Sequence, residues 1–242
     1  MDTIRKISII GSGNVGSHLA HALESSGIEI THFKHRTDDL KSLPKDQLVL
    51  LCVPDDVISE LVSKIDESCS IAYTSGSVEL NSLPTRNLLG VFYPLQTFSK
   101  DRSVDLASVP FFIESSTEEF GEQLFALAST ISKSVSFANS EERKKMHLAA
   151  VWINNFTNHI VHIAQSYCEQ QNVDFNHLKP LLKETIEKLE DLSPLEAQTG
   201  PARRGDTSII EQHLSQLKGT EKELYQLLSE SITKTYSRDE KL

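Results

Sequence analysis

Six residues near the N-terminus carry the clearest chemical signal. Gly11-Ser12-Gly13-Asn14-Val15-Gly16 has the spacing G-x-G-x-x-G. It follows the apolar run Arg5-Lys-Ile-Ser-Ile-Ile10 and opens a helical stretch from about Asn14 to Glu24. In that setting Gly11 permits a tight turn, Gly13 lets backbone approach a pyrophosphate, and Gly16 lets the helix lie close to the strand. The free N–H groups at the helix start then face the phosphates. The simpler alternative is a tight strand–helix turn that holds no ligand. An NAD site usually adds an acid about 20 residues on, for the ribose 2′-OH. Here Lys34-His35-Arg36-Thr37 stands in that place, which suits a 2′-phosphate. NADP is therefore expected ahead of NAD, and NAD stays open because Asp38 and Asp39 follow closely. Ligands of an open parallel sheet lie over its strand ends. That nominates Cys52-Val53-Pro54-Asp55-Asp56 and Thr74-Ser75-Gly76-Ser77, although Asp55 and Asp56 could equally cap the following helix.

A second group of candidates lies further along. His147, Asn154, Asn155 and Asn158 interrupt a stretch rich in Leu148, Val151, Trp152, Ile153, Phe156 and Ile160. A long helix apolar nearly all round is expected to be buried. Its polar side chains then need partners, from protein or from substrate. His147 is open to two readings, a satisfied core histidine or a proton donor. His159-x-x-His162 shares a helix face, but nothing nearby completes a metal site, and no metal is expected. Thr199-Gly-Pro-Ala-Arg-Arg-Gly-Asp206 sets Arg203 and Arg204 in a loop bounded by Gly and Pro. Two adjacent guanidinium groups can grip a carboxylate in two-point fashion. Asp206 could hold one Arg or cap the next helix, and Ser208-x-x-Glu211 could form a capping box instead. An Arg–Asp clamp fixing a helix corner or a dimer interface is the equal alternative to substrate binding.

The elements that must position these residues alternate. After the first strand and helix come apolar strands at Ile28–Phe33, Gln47–Val53, Ser70–Thr74, Leu88–Tyr93, Val109–Ile113 and Ser134–Phe137. Helical patterns fall at 55–66 and 117–131. This order predicts an α/β fold, a Rossmann-type mostly parallel sheet covered on both faces. The character changes near Asn139. Ser140-Glu-Glu is expected to cap a helix that runs unbroken to about Gln170, some 45 Å at 1.5 Å per residue. More helices follow at about 174–190, with Asp174 as a cap, and at 207–217 and 220–236. The expected domains are 1–139, binding NAD(P), and 140–242, an all-helical domain for substrate and dimerisation.

Composition narrows the function classes. The chain has 242 residues, 38% of them hydrophobic and 24% charged, which excludes a disordered chain. A net charge of -10 argues against nucleic-acid binding, which needs clustered Lys and Arg. Cys52, Cys69 and Cys168 lie too far apart for a zinc site and suit a reducing, cytoplasmic setting. The first apolar run stops at Gly11, unlike a signal peptide, and no run approaches the ~18 residues of a membrane span.

The fingerprint, Val53-Pro-Asp-Asp56, Thr74-Ser-Gly76, Gly90-Val-Phe-Tyr-Pro-Leu-Gln-Thr-Phe98 and Thr199–Asp206 occur in that order. Together they resemble the Rossmann-like proteins with a C-terminal helical domain of unknown function, related to coenzyme-F420-dependent NADP oxidoreductases. More distantly the chain is similar to pyrroline-5-carboxylate reductase, ketopantoate reductase and the β-hydroxyacid dehydrogenases. The resemblance implies a bacterial cytosolic protein, a nicotinamide cofactor and a homodimer through the helical domain. Two departures matter. Such proteins often carry His before Pro-Leu-Gln, where this chain has Tyr93, a residue that does not accept a proton near neutral pH. Aligning the Asn pair of the β-hydroxyacid dehydrogenases with Asn154-Asn155 puts Val151 at their catalytic Lys position. His147 and Lys144 lie on the same face, nearer the N-terminus, and either could substitute as an acid. The expected function is hydride transfer to or from a small carboxylated carbonyl or imine compound. In that reading Arg203 or Arg204 holds the substrate and Asn154 or Asn155 orients the reacting group. The alternative is an NADP-binding sensor or partner-binding protein without turnover.

Overall fold

The computed structural model describes residues 4–45 and 47–237. The chain divides into two compact units, Met1–Phe156 and Thr157–Leu242. The first compact unit thus runs one helix past the expected domain boundary at 139/140, and the first turns of that helix are tied to the sheet.

The first unit is built on seven strands: β1 (Lys6–Ile10), β2 (Glu29–Phe33), β3 (Leu48–Leu51), β4 (Ser70–Tyr73), β5 (Leu89–Pro94), β6 (Phe111–Ser115) and β7 (Val135–Phe137). Their order is β2-β1-β3-β4-β5-β6-β7, and every pairing is parallel except β5 with β6. The mostly parallel α/β sheet expected from the alternation is what forms. β3 is buried along its whole length, as a central strand covered on both faces must be. Helices α1 (Asn14–Ser25) and α3 (Glu118–Ser129) lay Leu19, Leu23, Phe120 and Leu124 against Ile7, Ile9 and Phe92 on one face. Helix α2 (Asp55–Lys64) packs Ile58, Leu61 and Val62 against Val49, Ile71 and Val91 on the other.

Helix α4 (Ser140–Ala150) completes this unit. Its cap is Asn139, not Ser140: Asn139 Oδ1 accepts from Glu142 N at 3.0 Å, and the Glu142 carboxylate accepts from Asn139 N at 2.9 Å. Ser140 is drawn away to the sheet. Its Oγ lies 2.8 Å from Glu114 Oε2 and accepts from Leu80 N at 3.1 Å. The expected unbroken helix stays helical to Gln170 but changes winding, with a π-helical turn at Val151–Phe156 before α5 (Thr157–Gln170). Its apolar residues are not buried as expected: Leu148 and Trp152 are each 61% exposed and Ile153 is 75% exposed.

The second unit continues with α6 (Lys179–Glu187), α7 (Pro194–Ala197), α8 (Pro201–Arg204), α9 (Thr207–Gln216) and α10 (Gly219–Tyr236). Asp174 caps the turn before α6 by accepting from Asn176 N. Among the described residues of this unit only Cys168, Ala197, Ala202 and Ser229 are buried, while Leu181, Ile186, Leu192 and Leu227 are exposed.

Candidate functional site

The sheet order sets the candidate residues in a row along the carboxyl edge. Arg36 follows β2, Gly13 follows β1, Pro54 follows β3, Thr74 follows β4 and Tyr93 ends β5. The row spans four strand spacings, about 19 Å.

The glycines of the first turn divide by what requires them. Gly11 has φ +114°, and a Cβ there would stand 2.1 Å from the Cys52 carbonyl oxygen. A Cβ on Gly16 would meet the Gly11 carbonyl oxygen at 2.3 Å. The fold itself therefore demands both. Gly13 is different: its φ is −73° and a Cβ would meet nothing within 4 Å. Each of the other nine glycines has either a positive φ or a neighbour that a Cβ would strike. Nothing in the protein requires Gly13 to be small. Gly13 opens the first turn of α1, whose N–H groups there have no helical partner.

Gly13 lines an open cleft of about 440 Å³ with Asn14, Val15, Cys52, Val53, Pro54, Asp55, Thr74, Gln96, Thr97, Phe98 and Asn154. Five expected nucleotide contacts outside Gly13 thus meet in one place: Asn14, Val15, Cys52, Val53 and Pro54. The far wall is the segment after β5, fixed where Asn14 Nδ2 donates to Phe98 O at 2.9 Å. His18 adds a second tie, with Nε2 2.9 Å from Arg102 O. Sequence reasoning named the Gln96–Phe98 motif but not its pairing with the glycine turn, which joins residues 84 apart. Ser12 precedes Gly13 in the turn and is exposed. Cys52 supports the turn from beneath. Burial pushes its thiol up to about 12, so it stays protonated and packs as an apolar group.

At the β2 end, Lys34–Thr37 form a turn with Lys34 and Arg36 exposed and His35 half-buried. Asp38 does not extend outward. Its carboxylate accepts from Lys34 N at 2.8 Å and Thr37 Oγ1 at 2.9 Å, and these bonds hold its pKa below the usual value. Asp39 accepts from Lys41 N. Both acids that kept NAD open are thus engaged in local turns, while among the described residues no hydrogen bond or ion pair engages the Lys34, His35 or Arg36 side chain. At β4, Ser75 is a turn residue: its Oγ accepts from Ser77 N at 3.1 Å and Val78 N at 3.0 Å. Asp55 lies in the first turn of α2 and accepts from the Ser77 hydroxyl. Gly76 packs against two rings: a Cβ there would lie 2.6 Å from Tyr93 Cζ and 2.7 Å from His147 Nδ1.

His147 is half-buried on α4, its Nδ1 3.0 Å from Tyr93 Oη. One turn earlier, Arg143 is wholly buried. It pairs with Glu114 of β6 and donates to Val78 O. Lys144 pairs with Glu79. Asn154 reaches the Gly13 cleft, and its Nδ2 donates to Asn155 Oδ1 at 3.3 Å. Asn155 is not among the cleft-lining residues.

In the helical unit, Arg203 is held in a corner. Its Nη1 donates to the Gln198 carbonyl and, at 3.1 Å, to Glu196 O, and its guanidinium lies 5.0 Å from the Tyr236 ring centroid. Arg204 is exposed, with Nη2 3.6 Å from Asp206 Oδ2. Asp206 occupies the cap position of α9 without a side-chain capping bond, and Ser208 lies inside that helix, so no capping box forms with Glu211. His159 and His162 stand with ring centroids 6.1 Å apart, and no metal-binding cluster occurs among the described residues.

Solved structures share this architecture. A candidate NADP oxidoreductase from Bacteroides fragilis is 35% identical, covering 96% of this chain and 98% of its own, with a TM-score of 0.84. A Thermotoga maritima protein is 17% identical over 97% and 99%, with a TM-score of 0.69. Pyrroline carboxylate reductase from Plasmodium falciparum, solved with NADP bound, is 11% identical over 96% and 98%, with a TM-score of 0.58. The last two share the fold alone. No curated protein sequence matches the chain. The profile of the family described as a domain of unknown function, DUF2520, matches residues 109–232, and the chain belongs to that family.

Proposed function

We propose that the chain is an NADP-dependent oxidoreductase acting on a small carboxylated carbonyl or imine compound. One observation carries the reading: Gly13 is small for no reason inside the protein, at the mouth of a cleft where helix N–H groups converge. A pyrophosphate fits that position. Arg36, with His35 and Lys34, would hold a 2′-phosphate, and Val53, Pro54 and Thr74 would flank the nicotinamide half. The 35%-identical Bacteroides protein supports the assignment.

When bound, a dihydronicotinamide supplies hydride. The protein's own part is orientation and proton supply. Asn154, on the cleft wall, would orient the reacting group with its amide. Asn155 would restrain Asn154 through the bond between them. Within the helical unit, Arg203 is occupied by backbone carbonyls and Tyr236, while Arg204 is exposed beside Asp206. The exposed apolar side chains of the helical unit fit a homodimer formed through that unit, since burying them stabilises by about 25 cal/mol per Å².

The test is NADPH consumption, followed at its absorbance band, against a panel of 2-oxo acids and cyclic imino acids. Turnover of a member, reduced at least tenfold in Asn154→Ala, supports the reading. Tight NADPH binding with no oxidation by any of them would favour the second reading, a nucleotide sensor, to which the Val151 position lends support.

A further inference from the structure

Tyr93 and His147 come from elements 54 residues apart, β5 and α4, yet meet at 3.0 Å. Three separate features hold them together. Gly76 lacks the Cβ that would prise them apart. Arg143, on the same helix face one turn before His147, locks α4 to the sheet through Glu114 and the Val78 carbonyl. The Tyr93 ring also packs against Phe112, centroids 6.5 Å apart. The pair follows next in the row after Thr74, one strand beyond the Gly13 cleft.

We propose that Tyr93 and His147 form the proton-donating pair of this site, with Tyr93 the group that contacts the substrate. This rests on the oxidoreductase reading above. In the reducing direction a nicotinamide cofactor would supply hydride to the carbonyl or imine carbon, and as that C–H bond formed the C=O or C=N π pair would move to oxygen or nitrogen. That atom takes the proton of Tyr93 Oη. A protonated His147 then gives its Nδ1 proton to the phenolate and is left neutral, and solvent reprotonates the half-buried ring. Tyr93 is thereby the proton donor that the sequence left unassigned when it showed Tyr in place of His. Burial raises the phenol pKa above its usual value, with Arg143 opposing and Asp55 adding, so Tyr93 carries its proton near neutral pH. The charges acting on the Tyr93 phenol are Arg143 from α4 and Asp55 from α2. Arg143 is paired with Glu114 and Lys144 with Glu79.

The test is histidine NMR on the intact protein with NADPH or NADP⁺ bound, His147 being assigned through His147→Gln. The oxidised ring carries one more positive charge, so the ¹⁵N shifts of the His147 ring are expected to change when NADP⁺ replaces NADPH. In Tyr93→Phe the ¹⁵N shifts of Nδ1 and Nε2 should change, because the tautomer loses its partner. His147 ¹⁵N shifts that are the same in the two complexes, or unchanged in Tyr93→Phe, overturn the pair while leaving nucleotide binding intact. Absence of binding by either nucleotide overturns both the pair and the oxidoreductase reading.

Discussion

Replacing Gly11 and Gly13 separately by Ala divides the fold's demands from the ligand's. At Gly11 the new Cβ would sit 2.1 Å from the Cys52 carbonyl oxygen, against an ordinary contact of 3.4 Å or more. Neither side yields easily: Cys52 N donates to Ile10 O at 2.8 Å and Gly11 N to Phe33 O at 3.2 Å, so both backbones are held in the sheet. Crowding costs about 1–3 kcal/mol and an L-residue at φ +114° about 1–3 more. Gly11→Ala should therefore lose roughly 2–6 kcal/mol, a large part of a total near 5–15. At Gly13 the Cβ enters open space at an ordinary φ, so Gly13→Ala should stay within about 1 kcal/mol of the parent. It should still weaken NADPH. Loss of one charge-assisted bond to phosphate is worth about 1.5–3 kcal/mol, or roughly 10–150-fold in Kd. Urea unfolding and calorimetric titration of both variants provide the comparison. A Gly13→Ala protein that binds NADPH as the parent does would refute the argument that a phosphate approaches there. A Gly11→Ala protein as stable as the parent would refute the steric argument.

Other outcomes follow from the same geometry. Arg36→Ala should cut the preference for NADPH over NADH by about 10-fold or more, with NADH affinity unchanged, as read by competitive titration. Arg143→Met should destabilise by about 3–5 kcal/mol in urea, because the half-buried Glu114 loses its cation and the Val78 carbonyl its donor, and adding Glu114→Gln should recover part of the loss. The Cys52 thiol ionises near 9 when unfolded and near 12 when folded. The folded state thus keeps a proton that the unfolded state releases, and stability should fall by about 1.4 kcal/mol per pH unit above pH 9. Cys52→Ala should remove that part of the slope.

Local signals in the sequence were enough for the sheet unit. The strand–glycine–helix pattern, the apolar runs ending at Pro54 and Pro94, and the shift to helix after Asn139 each reflect forces acting within a few residues. What local patterning could not reveal depended on contacts across the chain. Ser140 reads as a helix cap, but Glu114 lies 26 residues away in sequence and draws its hydroxyl to the sheet. Asn139 then caps instead, with Glu142 closing the box. The same buried Arg143–Glu114 pair explains why the first compact unit ends after Phe156 and not at 139. The apolar run from Leu148 suggested burial, yet Trp152 and Ile153 are exposed, because composition reports that a face wants covering and not what covers it. Tyr93 looked like a lost histidine. Only the fold brings His147 to its hydroxyl and turns a departure into a pair.

The central claim is that the Gly13 cleft and the basic turn after β2 together bind a phosphorylated nicotinamide dinucleotide. Isothermal titration of the unmodified protein with NADPH and with NADH tests it most directly. Saturable binding of NADPH is expected, with NADH weaker by about tenfold or more. A folded protein that binds neither nucleotide would contradict it.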